Sequence, residues 1–254
     1  MAAFRKAGWV GVRFAAVILW PALFPAAPAQ NSPLPTFQSE NKSVTIERFD
    51  PKVNGSHPAV MVIHGGVGPE GDWRKDGIID ALTAAGYVAF VPHYFEGSGG
   101  KWAPSGGATQ LFAYLRTLND AAAFVAQQPG VQKDGIGLVG FSLGGYVVLG
   151  LAEEEISHPP PQPSAQIKAV VETYGGMPEF AADRMTTMPP VLILHGETDE
   201  LIPVKEAYAL EKLLKSKSVT YEIKIYPHQG HGFDSATAED ANRRTVAFLK
   251  AHLQ

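Results

Sequence analysis

The stretch Gly140–Gly145, which reads Gly-Phe-Ser-Leu-Gly-Gly, constrains the fold more than any other part of this chain. An apolar run typical of a buried strand, Ile136–Val139, ends just before it, and a run with helical character, Tyr146–Ala152, follows it. Glycines two residues before and two residues after Ser142 suit a sharp turn, because a strand and a helix packed so closely leave no room for side chains. The sequence therefore predicts a serine at the tip of a strained turn from a strand to a helix.

The rest of the chain alternates strand-like and helix-like segments, which is typical of βα units and a mostly parallel sheet. Strands are predicted at Ser43–Phe49, Ala59–Ile63, Tyr87–Val91, Ile136–Val139, Lys168–Thr173, Val191–Leu194 and Val219–Tyr226. Helices are predicted at Trp73–Ala85, Ala108–Gln128, Tyr146–Ala152, Val204–Lys217 and Glu239–Leu253. We expect the first strand to be antiparallel at the sheet edge, and the proline-rich stretch Ser157–Gln166 to be a surface loop. The pattern predicts one α/β domain with helices on both faces of a mostly parallel central sheet.

Composition excludes several classes of protein. The 254 residues are 45% hydrophobic and 18% charged, which is ordinary for a globular domain and not for a disordered or fibrous chain. The net charge is -4 and no basic block stands out, so nothing in the sequence recruits nucleic acid electrostatically. The chain has no cysteine, which excludes disulfides and a thiol nucleophile.

The N-terminus has the pattern of a secretory signal peptide. Basic residues precede the apolar run Phe14–Trp20, and Ala27-Pro28-Ala29 fits a cleavage site, so residues 1–29 are expected to be removed. The alternative is a retained membrane anchor, but Pro21 and two later prolines break the apolar stretch before it reaches the roughly 20 residues of a spanning helix. We therefore expect a periplasmic or secreted protein without stable membrane insertion, with a polar linker over residues 30–42 and a catalytic domain over residues 43–254.

A serine at such a turn is either a nucleophile or a solvated turn residue, and a nucleophile needs a base held by a carboxylate. Asp199 follows the predicted strand Val191–Leu194, at the end of the sheet where open α/β folds place their ligands. Glu197 and Glu200 are rivals for this carboxylate, and Asp199 could instead cap the helix that begins near Val204. We predict that Asp199 is the acid.

The base is expected on the loop after the next strand, where His228 and His231 both occur. His231 lies between two glycines, which allow the backbone to aim an imidazole at a distant serine. His228 is closer to the strand and is expected to hydrogen-bond within the loop. We predict that His231 is the base that acts on Ser142.

An oxyanion hole needs two backbone N–H groups that point at the developing negative charge. Leu143, the residue after the serine, supplies the first at the start of a helix. The glycine-rich segment after the strand Ala59–Ile63 supplies the second, for which Gly66 is predicted and Gly65 and Val67 are alternatives. His64 is expected to brace this loop.

These segments together resemble the dienelactone hydrolase family of α/β-hydrolases. The resemblance rests on four stretches, which are His64–Gly66, Gly140–Gly145, His195–Asp199 and Gly230–Phe233. It extends from about Ser43 to the C-terminus and implies the α/β-hydrolase fold and hydrolysis of an ester bond. Oligopeptidases and acetyl esterases share most of these motifs, so a peptidase of short peptides stays an alternative, as does a non-catalytic ligand-binding protein with the same fold.

The chain departs from the family pattern at two positions. The resemblance implies a cysteine nucleophile and a glutamate early in the oxyanion loop, where this chain has Ser142 and Gly65. We therefore expect hydrolysis of ordinary carboxylic esters, or of lactones, through an acyl-enzyme, with a small-molecule ester as substrate and no cofactor or metal. Tyr94 and Phe95 are expected to line the substrate pocket, and the short segment between Tyr174 and Pro189 predicts an open one. The oligomeric state is not encoded in any of these motifs.

Overall fold

The structure is a computed structural model that describes residues 34–101, 103, 107–157 and 166–253. The expected signal peptide, residues 1–29, lies outside the described residues, as does most of the proline-rich loop. No helix within the described ranges combines the length and the apolar character needed to cross a membrane.

Eight strands form one sheet. They are β1 (Thr36–Ser39), β2 (Lys42–Phe49), β3 (His57–Ile63), β4 (Val88–Pro92), β5 (Val131–Phe141), β6 (Ile167–Thr173), β7 (Val191–Gly196) and β8 (Tyr221–Tyr226). Their order is β1-β2-β4-β3-β5-β6-β7-β8. β2 is antiparallel to both β1 and β4, whereas all pairs from β4 to β8 are parallel. The carboxyl ends of β3 to β8 therefore meet at one edge of the sheet, where α/β folds bind ligands.

Seven α-helices in the described part of the chain pack around the sheet. They are α1 (Ile78–Ala84), α2 (Tyr94–Gly97), α3 (Gly107–Ala126), α4 (Leu143–Ser157), α5 (Glu179–Arg184), α6 (Lys205–Ser216) and α7 (Ser235–Leu253). Buried side chains of α3, α4 and α6 belong to one hydrophobic core, and those of α1 and α7 belong to a second one. The sheet separates these two cores, which confirms the predicted α/β class with helices on both faces.

The central strand β3 shows why the sequence forms a sheet that is covered by helices on both faces. Ala59, Met61 and Ile63 point into the core beside α3 and α4, while Val60 and Val62 point into the core beside α7, and all five are fully buried. A strand covered on both faces has no need for polar alternation, so it reads as a continuous apolar run.

The structure corrects two boundaries. The predicted linker, residues 30–42, contains the strand β1, which pairs with β2 and makes β2 the second strand of the sheet rather than its edge. The predicted helix Trp73–Ala85 is divided into a 3-10 turn, Asp72–Arg74, and α1. The division falls at Gly77, whose φ of +75° lies in the left-handed region and ends helical geometry there.

Candidate active site

Ser142 lies on the sharp turn between β5 and α4, which we call the elbow (Gly140–Gly145). Its φ is +57°, a left-handed value that is costly for any residue other than glycine, and its N–H donates to the carbonyl oxygen of Thr173 at 2.9 Å. A Cβ at Gly140 would collide with the backbone of Gly144, and a Cβ at Gly144 would collide with the carbonyl of Ile63. The two glycines are therefore required by the close approach of β5, α4 and β3, and Ser142 is held in a strained, fixed position.

A continuous line of hydrogen bonds joins Ser142, His231 and Asp199. Nε2 of His231 is 2.8 Å from Oγ of Ser142, and Nδ1 of His231 is 2.9 Å from Oδ2 of Asp199. The Asp199 side chain is fully buried, while the His231 side chain is 23% exposed. A buried carboxylate beside Nδ1 fixes the tautomer in which Nε2 has a free lone pair, so this arrangement can take a proton from the hydroxyl.

The loop after β7 presents Asp199 in one orientation. Its Oδ1 accepts hydrogen bonds from the N–H groups of Leu201 and Ile202, both at 2.9 Å, which leaves Oδ2 for His231. Asp199 does not cap α6, whose N-cap is Val204. The rival carboxylates, Glu197 and Glu200, are exposed, so the structure brings Asp199 rather than either glutamate to the histidine.

His231 lies on the loop between β8 and α7 and is packed by aromatic rings. The ring of Tyr174 meets the imidazole edge to face with centroids 5.1 Å apart, and Phe233 packs on the other edge of Tyr174 at 5.2 Å. Tyr174 itself has a left-handed φ of +41°, which places its ring beside the histidine rather than along β6. The other candidate, His228, is exposed and donates its backbone N–H to Glu197 at 3.4 Å. Only His231 of this pair reaches the serine.

The loop after β3 lies against the serine. A Cβ at Gly65 would be 3.2 Å from Cβ of Ser142, and Gly66 borders the cavity in front of the serine together with Leu143. His64 is buried behind this loop, and Nδ1 of its ring is 2.9 Å from the carbonyl oxygen of Gly65. Burial lowers the pKa of His64 to about 4, so the ring is neutral and donates to that oxygen. It therefore braces the loop as predicted.

A cavity of about 620 Å³ opens in front of Ser142; we call it the Ser142 cavity. It lies between the elbow, the first turn of α3, the segment from Pro178 to Phe180 and the side chains of Leu201 and Ile202. The volume is that of a small-molecule site. The segment between β6 and β7 is short, as the sequence indicated, yet it forms one wall of this cavity through α5.

Two predicted pocket residues lie elsewhere. Tyr94 is fully buried, stacks on His64 with centroids 4.3 Å apart and donates its hydroxyl to the carbonyl oxygen of His64 at 3.0 Å. Phe95 meets the edge of the same imidazole at 4.7 Å. Neither side chain lines the Ser142 cavity, because both pack against His64 in the loop after β3.

The sequence analysis missed two buried titratable residues next to this site. Glu172 on β6 accepts a hydrogen bond from the N–H of Gly175, and its Oε2 has no hydrogen-bond partner among the described residues. Burial raises the pKa of Glu172 to about 8 against the opposing Gly175 hydrogen bond, and the Asp199 carboxylate raises it further. The available signal was a carboxylic acid directly after the apolar run Ala169–Val171 of β6.

His195 is the second missed residue. It is fully buried at the end of β7, and its Nε2 donates to the carbonyl oxygen of Ile202 at 2.8 Å. The same nitrogen is 3.6 Å from Oδ2 of Asp199. Burial lowers the pKa of His195, so the neutral ring closes the loop that carries Asp199. Its place directly before the loop of the acid was the signal in the sequence.

In the part of the chain that the structure describes, no group of three or more His, Asp or Glu side chains is arranged to hold a metal ion.

Comparison with known proteins agrees with this architecture. A carboxymethylenebutenolidase homolog from Xenopus tropicalis is 29% identical over 231 residues, which cover 84% of this chain and 87% of that protein. Two solved structures are similar in fold. The dienelactone hydrolase from Anabaena variabilis has a TM-score of 0.67 and 17% identity over 87% of this chain and 97% of its own. Est1E from Butyrivibrio proteoclasticus has a TM-score of 0.66 and 16% identity over 86% of this chain and 100% of its own.

The model of the dienelactone hydrolase family matches residues 48–253, which span the sheet from the end of β2 through α7 and include all three residues of the hydrogen-bonded line. The match agrees with the resemblance drawn from the four sequence stretches. The chain thus belongs to the dienelactone hydrolase family of α/β-hydrolases.

Proposed function

We propose that this protein is a serine hydrolase of carboxylic esters, lactones included, that acts through a covalent acyl-enzyme. The observation that carries the proposal is the hydrogen-bonded line from Ser142 through His231 to Asp199, with both heavy-atom distances below 3 Å. Family membership supports hydrolysis of an ester or lactone bond. The residue roles below are our assignment.

In the first half of the reaction, Oγ of Ser142 attacks the carbonyl carbon while Nε2 of His231 takes the hydroxyl proton. Asp199 holds the Nδ1–H and stabilises the imidazolium that forms. The carbonyl oxygen becomes negative, and the N–H groups of Leu143 and Gly66 stabilise it. When the tetrahedral intermediate collapses, His231 gives its proton to the leaving alcohol, and the acyl group stays on Ser142.

In the second half, water attacks the acyl carbon. His231 takes a proton from the water, a second tetrahedral intermediate forms, and its collapse releases the carboxylic acid while His231 returns the proton to Ser142. For a lactone, the leaving alcohol stays attached to the acyl group, so one hydroxy acid is the product. Besides the ester, the reaction consumes only one molecule of water.

The residue at position 65 supports a serine rather than a cysteine mechanism. Because Gly65 lies next to Ser142, a glutamate side chain here would stand directly beside the nucleophile. This chain has no carboxylate at that position, so His231 is the group placed to activate the nucleophile. A serine activated by histidine suits ordinary esters.

The test uses the mature protein, a fluorophosphonate probe and p-nitrophenyl acetate. We expect the wild-type protein to be labelled and to hydrolyse the ester, and Ser142→Ala to lose labelling and on the order of 10⁴-fold or more in kcat/KM. Ser235→Ala, which removes an exposed serine hydroxyl at the start of α7, is the matched control and should behave as wild type. Hydrolysis that survives Ser142→Ala would refute the mechanism. Absence of both labelling and hydrolysis in the wild-type protein would favour a ligand-binding role.

A further inference from the structure

Most of the side chains that line the Ser142 cavity away from the reacting groups are apolar. They come from α3, the elbow, α5 and the loop after Asp199: Leu111, Leu143, Pro178, Phe180, Leu201 and Ile202. At about 620 Å³, the cavity can hold an aromatic or branched substituent together with the ester group. Such a wall favours an apolar group through the hydrophobic effect.

The charged groups near the cavity are acidic. Among the described residues that line it, none is a lysine or an arginine, and Glu179 is the charged one. Residues 102 and 104–106, which adjoin α3 in the chain, are not cations either. Tyr146 also lines the cavity, and burial raises the pKa of its hydroxyl to about 12, with the carboxylates of Glu206, Glu172 and Asp199 adding to the rise. The tyrosine therefore stays neutral and offers an anion no positive charge.

Two basic side chains close to residues of this region do not line the cavity. Arg184 lies over the ring of the lining residue Phe180 at 5.1 Å, and its guanidinium is 3.1 Å from the fully buried carboxylate of Glu153. Lys101 is exposed and packs beside Gly68 in the oxyanion loop without lining the cavity. A substrate carboxylate in the cavity would thus lose hydration without gaining a cationic partner, which is strongly unfavourable.

The apolar character extends to the mouth of the cavity. Leu201 is 70% exposed and lines the cavity, and Val67, next to Gly66, is 71% exposed. Phe112 is also exposed and packs against the cavity residue Phe180 with ring centroids 4.6 Å apart. Of the six exposed large hydrophobic side chains in the described part of the chain, Leu201 lines the cavity, Phe112 contacts a lining residue, and Val67 follows the lining residue Gly66 in sequence.

We propose that the Ser142 cavity selects uncharged esters with a bulky apolar or aromatic substituent and rejects substrates that place a carboxylate in it. The inference rests on the proposed function and names its substrate class. A cationic substituent has no like-charged group to oppose it, although burial still costs it hydration, so cationic esters rank between the neutral and the anionic ones.

The test compares three p-nitrophenyl esters that share one scaffold and differ in the charge of the para substituent. They are the esters of 3-(4-methylphenyl)propanoic acid, 3-(4-carboxyphenyl)propanoic acid and 3-(4-trimethylammoniophenyl)propanoic acid. The propanoate spacer separates the substituent electronically from the carbonyl and keeps the carboxylate from attacking it. We expect kcat/KM to fall in the order neutral, cationic, anionic, with the anionic ester at least about 100-fold below the neutral one.

Variants of Leu201 separate charge from shape, because this side chain is exposed enough to be replaced without unfolding the chain. Leu201→Lys should lower the ratio of kcat/KM for the neutral ester to kcat/KM for the anionic ester at least about tenfold. Leu201→Gln, of similar size but uncharged, should lower this ratio by less than about threefold. Tyr208→Lys is the matched control, since Tyr208 is half exposed on α6 and does not line the cavity. It should leave the ratio unchanged.

The possible outcomes separate this inference from the function it rests on. Equal or faster hydrolysis of the anionic ester would overturn the inference and leave the serine mechanism standing. The inference would also be overturned if Leu201→Gln lowered the neutral-to-anionic ratio of kcat/KM as much as Leu201→Lys does, because shape and not charge would then be responsible. If the wild-type protein neither reacts with the fluorophosphonate nor cleaves p-nitrophenyl acetate, the proposed function fails, and the inference fails with it.

Discussion

Replacing Glu172 by glutamine should remove a loss of stability that the wild-type protein suffers as the pH rises from about 4.5 to about 8. Glu172 is fully buried on β6, with one carboxyl oxygen bound by the N–H of Gly175 and the other without a hydrogen-bond partner in the described residues. Glutamine has the same size, and its carbonyl oxygen can accept the same hydrogen bond. The substitution therefore removes the titration of the side chain and keeps its shape.

The magnitude follows from the pKa of Glu172, which burial raises from 4.5 to about 8. Below pH 4.5, the carboxyl is protonated in both the folded and the unfolded chain, and charge makes no difference to stability. As the pH rises, the unfolded chain loses this proton first, so the free energy of unfolding falls by roughly 1.4 kcal/mol for each pH unit until the folded carboxyl also ionises. Between pH 4.5 and pH 8, wild-type Glu172 thus costs up to about 5 kcal/mol, which glutamine avoids.

The assay is urea denaturation followed by circular dichroism at unit intervals from pH 5 to pH 9. We expect the free energy of unfolding of Glu172→Gln minus that of wild type to rise steadily up to about pH 8 and then to level off. Glu222→Gln, which changes an exposed glutamate on β8, is the matched control and should give no such slope. A difference that stays constant between pH 5 and pH 8 would refute the reasoning, because the effect would then come from altered contacts and not from charge.

Three further predictions follow from the site, the elbow and the N-terminus. Asp199→Asn should lower kcat/KM by about 10³- to 10⁴-fold while the protein stays folded, because an amide nitrogen opposite Nδ1 of His231 favours the wrong tautomer; ester kinetics and circular dichroism together check this. Gly144→Ala should lower the free energy of unfolding by about 3 kcal/mol or more in urea denaturation, because its Cβ would strike the carbonyl of Ile63. Gly66→Ala, with nothing within 4 Å of the new Cβ, should be stable. Expression of the full chain in a bacterial host should give a mature N-terminus at Gln30 in the periplasmic fraction or the medium. N-terminal sequencing checks this last prediction, and an intact Met1 in exported protein would contradict it.

Local signals made part of the fold and the site predictable. The elbow can be recognised in the sequence because the close contact of β5 with α4 excludes side chains at Gly140 and Gly144. Glycine is therefore required two residues before and two residues after Ser142. Asp199 and His231 follow apolar runs that form strands, so the parallel sheet places both at the same edge as the serine. Sequence order and strand ends were sufficient to bring these three residues together.

Other features depend on contacts between segments that are distant in sequence, and local patterns do not contain them. Tyr94 and Phe95 follow a strand, as pocket residues do, but both rings pack against His64 in the loop after β3 instead of lining the cavity. The strand β1 was missed because it has four residues and depends on pairing with β2. Glu172 appears as an ordinary strand residue until the elbow and α4 are placed over it.

The structure places the reacting groups and the cavity wall formed by α5 on different elements. Ser142 and the loop after β3 are held by close backbone contacts among β3, β5 and α4, whereas α5, within the connection from β6 to β7, contributes a wall and none of the proposed reacting groups. Changes in the length or sequence of the part of this connection around α5, away from Tyr174, which packs against His231, can reshape the binding volume without disturbing the proposed catalytic residues. The connection is therefore the natural place for substrate range to diverge in evolution, and the first place to graft a longer segment when a different ester is to be accepted.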